Sequence, residues 1–260
     1  MLGPMIGLVL SGGAVRGAAH LGVRDVLDDF GVEPHVVVGA SVGAAVGSLH
    51  AVGETPEEQI DMFELLSWGA LVRPSFSGKA LLDTDRFADY LREHLGDRSI
   101  EDLPVTFRAV TCDIETGETV ALGTGDLVDA VVASCALPGL FPPVDWDGRM
   151  LVDGGVVDYL PVDVARDAGA ERVIAVDLLP PFQPSEERPR FFFEIWQRSL
   201  YLLIRGNRPD PEDIDVLIQP DIGAASFADF DQLTDLYRKG RAAARQVMPE
   251  LRDRLGLGTA

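Results

Sequence analysis

The chain has four histidines, His20, His35, His50 and His94, and none in its last 166 residues. A serine hydrolase of the order Ser, Asp, His needs its base near the C-terminus, so this absence speaks against that triad. Only two cysteines occur, Cys112 and Cys135. Their separation is not that of paired metal ligands, and they read as buried thiols of a reducing compartment. No run of 18 apolar residues exists, which excludes a helical membrane span. Met1 to Leu10 lacks the basic and apolar regions of a secretion signal, so a cytoplasmic protein is expected. Lysine is nearly missing: Lys79 and Lys239 stand against 20 arginines.

Acid is what the chain has in excess. There are 27 aspartates and 15 glutamates, and the net charge is −20. That charge argues against nucleic acid as a partner. Two explanations stay open for the Asp-rich, Lys-poor balance: a solvated surface adapted to salt, or a GC-rich coding bias that favours Arg over Lys. With 260 residues and 47% hydrophobic content, one domain is expected, large enough for an open sheet covered by helices on both sides.

The chain is organised around Val36 to Gly47. A β-branched run, Val36-Val37-Val38, leads into Gly39-x-Ser41-x-Gly43 and then into small, helix-compatible residues. This is the pattern of a nucleophile elbow. A sharp strand-to-helix turn lifts the serine, and Gly39, Ala40, Gly43 and Ala44 keep the surrounding space open. The helix that follows presents its N-terminal amides where acyl transfer develops negative charge. A small-residue packing face is the competing reading of Gly39, Gly43 and Gly47.

A first strand, Met5 to Leu10, precedes Ser11-Gly12-Gly13-Ala14-Val15-Arg16-Gly17 and a helix from Ala18 to Phe30. The dinucleotide fingerprint fits poorly, because Gly12-x-Ala14-x-x-Gly17 lacks its middle glycine. No acidic second-strand end follows either. Small consecutive residues do let backbone amides converge on an oxyanion. Two successive β-loop-α units leave the same edge of a parallel sheet, which brings this loop near Ser41. Arg16 reads either as a cation that supports the oxyanion or locks the loop, or as a surface arginine at a helix start. His20, one turn into the helix, reads as a packed structural residue. Further on, Arg149 to Val152 is a short strand ending in Asp153-Gly154-Gly155. The two glycines let a carboxylate project from the strand end, although Asp-Gly also marks ordinary turns. Asp158 is a nearby competitor without the strand-end position.

The loop Gly12 to Gly17, the elbow at Ser41 and the Asp153-Gly154-Gly155 triplet, in this order, resemble the patatin-like phospholipases. The likeness is close over about Gly7 to Asp177 and extends loosely to the end, in the manner of small bacterial and archaeal members. In that family a third consecutive glycine stands where this chain has Ala14. The resemblance implies a patatin-like three-layer α/β/α fold with a mostly parallel central sheet. It implies a serine hydrolase of lipid or other acyl esters: phospholipase A, lysophospholipase or esterase. Ser41 is the implied nucleophile and Asp153 its base, in a dyad without histidine. Gly12, Gly13 and Ala14 are the implied oxyanion hole, with Arg16 and Gly17 completing the loop. No cofactor and no metal are implied. A non-hydrolytic lipid-binding or regulatory protein on the same scaffold is the alternative, supported by Ala14. A nucleotide-binding module rests on the Gly-rich loop alone.

The rest of the chain reads as supporting structure. Thr55-Pro56 caps a helix through Leu66, and Ser67 to Gly78 is a loop. A helix over Leu82 to Leu95, capped by Asp83 or Thr84, completes a section read as a lid or substrate-facing insert. Pro104 to Asp113 and Thr119 to Leu122 form a hairpin around Glu115-Thr116-Gly117-Glu118. Gly125 to Ala136 is a helix, and Leu137 to Pro143 a rigid loop which the resemblance brings near the acyl pocket. Leu160 to Gly169 is a helix, Arg172 to Asp177 a buried strand, and Leu179 to Arg190 a mobile loop. Phe191 to Ile204 is the most apolar stretch; a core helix packing on the sheet is favoured over a dimer contact or an interfacial helix, which would give peripheral contact at the inner membrane face. A last strand over Asp215 to Gln219 and a helical section over Asp229 to Leu255 close a single domain. Its motif-bearing core is 7–177 and its helical completion 190–260.

Overall fold

The computed structural model describes residues 3–56, 58–60, 72–75, 78–179, 188–223 and 230–255. The first unit is β1 (Ile6–Leu10), a short 3₁₀ turn at Ala14–Gly17, and α1 (Ala18–Asp29). The second is β2 (Val36–Ala40) followed by α2 (Val42–Ala51). Then come β3 (Arg73–Pro74), β4 (Leu82–Asp83), α3 (Asp85–Leu95), β5 (Thr106–Asp113), β6 (Thr119–Leu122) and α4 (Leu127–Ser134). The chain continues through β7 (Val144–Trp146), β8 (Arg149–Asp153), α5 (Val162–Asp167) and β9 (Arg172–Val176). It closes with α6 (Phe192–Arg205), β10 (Val216–Ile218) and α7 (Leu233–Arg254).

The main sheet runs β10-β9-β1-β2-β5-β8-β7, with β6 also paired to β5. The five strands from β10 to β5 are mutually parallel, while β8, β7 and β6 join antiparallel. The expected mostly parallel sheet is therefore present. Side-chain alternation sends Ile6, Leu8, Leu10 and Val37 to one face, against α1, α2, α4 and α7. Val9, Val36, Val38 and Ala40 point to the other face, with α5 residues such as Val162 and Ala165. Those two packed faces make the three layers. Helices α1 and α7 cross at a pair of glycines: a Cβ at Gly22 would stand 2.0 Å from the Tyr237 carbonyl oxygen, and one at Gly240 2.0 Å from that of Ala19. Such backbone contact fixes α1, and with it the loop that precedes it.

Several boundaries differ from the sequence expectation, each for a local reason. The helix expected from Leu82 starts at Asp85, because Leu82 and Asp83 pair antiparallel with Arg73 and Pro74. Thr84 occupies the N-cap position, but neither side chain caps the helix. The helix expected from Gly125 starts at Leu127, where the Asp126 carboxylate accepts the Asp129 N–H at 2.8 Å. Strand β7 was not anticipated. It pairs with β8 through a two-residue turn, Asp147-Gly148, with φ of 48° and 80°, the positive angles a tight hairpin requires. At Thr55 the anticipated cap is a reciprocal box: Thr55 N–H donates to the Glu58 carboxylate at 2.9 Å, and Glu58 N–H to the Thr55 hydroxyl at 3.3 Å. The rest of that helix, most of the adjoining loop and most of the loop after Leu179 lie outside the described residues.

The largest correction concerns α6. It is not a core helix lying on the sheet. Tyr201 and Ile204 pack against the second core face, and the helix otherwise touches the turn at Gly154–Val156. Phe191, Phe192, Ile195, Leu202 and Leu203 are between 51% and 74% exposed. Hydrophobic periodicity alone does not distinguish a face turned to the core from one turned to solvent, which is why the favoured core-helix expectation fails here.

Candidate active site

Ser41 stands between the end of β2 and the start of α2, with φ 54° and ψ −128°. A non-glycine residue held there costs of order 1–3 kcal/mol, which surrounding contacts must over-determine. Three contacts do so. A Cβ on Gly39 would lie 2.2 Å from the Gly43 carbonyl carbon, and one on Gly43 would lie 2.1 Å from the Leu10 carbonyl oxygen. Only glycine at both positions lets the turn close against β1. The Ser41 N–H donates to the Ser134 hydroxyl at 2.9 Å, and that hydroxyl donates to the Val110 carbonyl at 2.6 Å. Ser134 is fully buried at the end of α4, and sequence reasoning missed it. A serine at a helix C-terminus carries no signal until the helix is docked.

Asp153 ends β8, opposite Thr111 of β5. Its side chain faces Ser41, and its carboxylate accepts the Gly155 N–H at 2.8 Å. Only 3% of the residue is exposed. Burial pushes the carboxyl up from 3.8 to about 6, although the hydrogen bonds from Ser41 and Gly155 pull the other way. A Cβ on Gly154 would strike the Val110 carbonyl oxygen at 2.2 Å, so this glycine brings the aspartate against the parallel part of the sheet. The competitor Asp158 is also pushed up to about 6, by burial and by Asp163. It lines neither of the cavities that contain Ser41.

The Gly-rich loop lies beside the serine. A Cβ on Gly12 would be 3.5 Å from that of Ser41. The three amides expected as donors are not equivalent. Gly12 N–H donates to the Tyr159 carbonyl at 3.3 Å, which ties the loop down. Gly13 and Ala14 N–H groups have no acceptor among the described residues, and both residues line the cavity above Ser41. Ala14 adopts φ 51°, the left-handed conformation for which glycine is the cheaper residue. Alanine therefore accepts the same turn. Gly17 lets the loop return close to α2, since a Cβ there would meet Val42 at 2.2 Å.

Arg16 is not a surface arginine. It is 5% exposed and lines the same cavity as Ser41. Burial lowers its pKa, while the nearby Tyr159 and Tyr201 rings raise it. His20 is wholly buried, 2.9 Å from the Ser11 carbonyl through Nε2, and burial lowers it to about 4. It is a neutral structural histidine behind the loop. Three residues that sequence reasoning passed over also belong here. Cys135 lies next to Ser41, with its thiol pushed well above the usual range by burial and then by Asp153. Tyr159 lines the cavity and donates to buried Asp177 at 3.1 Å. Asp177 also holds Arg208 at 2.5 Å and Gln219 at 3.0 Å. Its place just beyond β9, the neighbour of β1, was the available signal. Among the described residues no group of three or more His, Cys, Asp or Glu side chains is disposed to hold a metal ion.

Comparison with known proteins bears on the family and the fold. The family model for patatin-like phospholipases matches residues 8–166. An uncharacterized NTE family protein of Mycobacterium tuberculosis is 36% identical over 178 residues, 67% of this chain and 49% of that protein. The human patatin-like phospholipase domain-containing protein 6 is 34% identical over 192 residues, 68% of this chain but 14% of that protein. The chain thus spans about half the length of its mycobacterial relatives and a small part of the animal ones. Among solved structures, VipD from Legionella pneumophila superposes with a TM-score of 0.64, at 15% identity, over 95% of this chain and 67% of that one. The type III effector ExoU gives 0.53 at 15% identity, over 98% of this chain and 54% of that one. These two likenesses concern the fold. Motif order, site geometry and the match over 8–166 lead to one conclusion: this chain belongs to the patatin-like phospholipase family.

Proposed function

We propose that the protein is a serine hydrolase of lipid acyl esters, acting through Ser41 and Asp153. The observation that carries this reading is the strained serine at φ 54° facing a desolvated carboxylate in an apolar cavity. An aspartate of ordinary pKa is a feeble base near neutral pH; one at about 6 is better matched to the task. The Ser41 oxygen attacks the ester carbonyl carbon while its proton passes to Asp153. The oxyanion accepts the N–H groups of Gly13 and Ala14. Collapse breaks the bond to the alcohol, which leaves with the proton from Asp153. Water then attacks the acyl-enzyme, giving one proton to Asp153, which returns it to Ser41 as the fatty acid departs. Each oxyanion donor is worth about 3–4 kcal/mol of barrier in comparable sites. The test is turnover of long-chain esters and phospholipid vesicles by the wild type and by Ser41→Ala. Hydrolysis by the wild type with a loss of about 10³-fold or more in the variant is expected; equal rates would refute the reading.

The outer face of α6 supports peripheral contact with lipid. Its five exposed apolar residues flank the cavity roof, which Trp196, Leu200 and Ile204 form from below. Residues 188–205 hold four arginines and one carboxylate, Glu194, in a chain whose net charge is −20. An apolar stripe beside local positive charge suits an anionic lipid surface. Replacing Phe191 and Leu203, 70% and 64% exposed, together by serine should weaken binding to phosphatidylcholine–phosphatidylglycerol vesicles about tenfold or more. Hydrolysis of a short, water-soluble ester should change little. Unaltered vesicle binding would leave the face without this role. Among the described residues no helix is long and apolar enough to cross a membrane.

A further inference from the structure

Ser41 and Asp153 line two cavities, not one. Both are partly open to solvent and of similar size. Only Ala14, Ser41, Leu137, Leu140 and Asp153 belong to both, so the two chambers meet at the nucleophile, its partner and one candidate oxyanion donor. Both are lined mostly by apolar surface, and they differ in the polar side chains added to it. On the α2 and α3 side the walls are Val42, Ala45, Phe87, Phe141 and Phe230, with the Cys135 thiol as the sole polar addition among the described lining residues. Beneath α6 the walls include Arg16, Tyr159, Gln197 and Tyr201 among apolar neighbours.

We infer that the two chambers divide the substrate at its ester bond: the acyl chain enters the chamber between α2 and α3, and the alcohol part occupies the chamber beneath α6. This rests on the hydrolase reading. A tetrahedral ester carbon on Ser41 sends its acyl and alkoxy branches in different directions, and each branch here meets a chamber of its own. A fatty acyl chain has no polar group beyond its carbonyl, and burying a hydrogen-bonding partner beside it gains nothing. The alcohol of a lipid carries hydroxyl, ester or phosphate oxygens, which need donors such as Arg16 and Gln197. Asp153 faces both chambers and can hand its proton to the leaving alcohol. A small groove lined by Leu81, Gly139, Leu140, Phe192 and Trp196 shares Leu140 and Trp196 with the α6 chamber. It runs to the exposed Phe192, so an alcohol part bearing a second chain keeps contact with the lipid surface outside.

Two ester series on the whole protein test this. The first varies acyl length from C4 to C16 on p-nitrophenol. The second keeps octanoyl and varies the alcohol from methyl to glycerol to glycerophosphocholine. Ala45→Phe should lower the C16 to C4 ratio of kcat/KM about tenfold or more, the scale of a few methylenes excluded from a pocket, and leave the alcohol ranking as it was. Phe87→Ala, which enlarges the same chamber from α3, should raise that ratio and covers the case in which Ala45→Phe fails to fold. Gln197→Ala should lower the glycerophosphocholine to methyl ratio several-fold and leave the acyl profile unchanged. The opposite pairing, with α2 and α3 variants moving the alcohol ranking and Gln197→Ala the acyl profile, overturns the assignment, as does a failure of all three to move either. Absence of any ester turnover by the wild type strikes the hydrolase reading itself, and is told apart by the wild-type rates alone.

Discussion

Asp153→Asn lowers kcat/KM for ester hydrolysis by about 10²–10⁴-fold, the usual contribution of a positioned general base, and abolishes the rise of rate with pH through about 6. In the wild type the carboxyl accepts a proton only when ionised. Burial sets its pKa at about 6, so activity climbs as pH passes that value and levels above it. The variant should also be more stable than the wild type. An acid with a raised folded pKa penalises the folded state once it ionises: the penalty is absent below the unfolded value of 3.8, grows up to about 6, and is full above. A difference of that size corresponds to about 3 kcal/mol. Chemical denaturation at pH 8 should show Asp153→Asn more stable by up to that amount, with the gain gone at pH 4. A less stable variant at pH 8 would mean that Asp153 is held for structure and not for its charge.

Gly43→Val removes the elbow. The new Cβ would stand 2.1 Å from the Leu10 carbonyl oxygen and 2.7 Å from that of Ser11. Both are backbone atoms at the end of a central strand, and neither can rotate away. The two successive β-loop-α units must separate, or α2 must shift. Damage at this level costs about 4 kcal/mol or more, a fall of about 10 °C or more in Tm for a chain of this size. Gly12→Ala is the contrast. Its Cβ would find ordinary contacts at 3.5 Å with Ser41 and 3.6 Å with Tyr159, and its Tm should move by only a few degrees. A Gly43→Val melt close to wild type would show that the elbow does not depend on this approach.

Much of this was written in the sequence, for physical reasons that differ by region. The β1 and β2 units were legible because β-branched runs followed by glycine and a helical period leave one local solution. Their parallel pairing then brought the Gly-rich loop to Ser41. Asp153 needed the motif order as well, since an Asp-Gly is a turn signal wherever it falls. Other features were tertiary. Ser134 reaches Ser41 only because α4 docks beside β5. Arg16 faces a cavity whose other walls include Tyr159 and Tyr201, far along the chain. The engagement of the Gly12 amide by Tyr159 is likewise invisible locally. Helix α6 shows a different limit: its spacing defined an apolar stripe, but only the assembled fold shows that, among the described residues, Phe191, Phe192, Ile195, Leu202 and Leu203 stay exposed. The turn at Asp147-Gly148 was legible and overlooked, a hairpin signal between two short strands.

The most direct test of Ser41 and Asp153 as a working pair is intact mass spectrometry after incubation with a long-chain alkyl fluorophosphonate. Wild type, Ser41→Ala and Asp153→Asn are run side by side, with folding checked for each. The account predicts one adduct per wild-type chain, none on Ser41→Ala, and slow labelling of Asp153→Asn. An adduct that persists on Ser41→Ala, or a folded wild type that takes none, would contradict it.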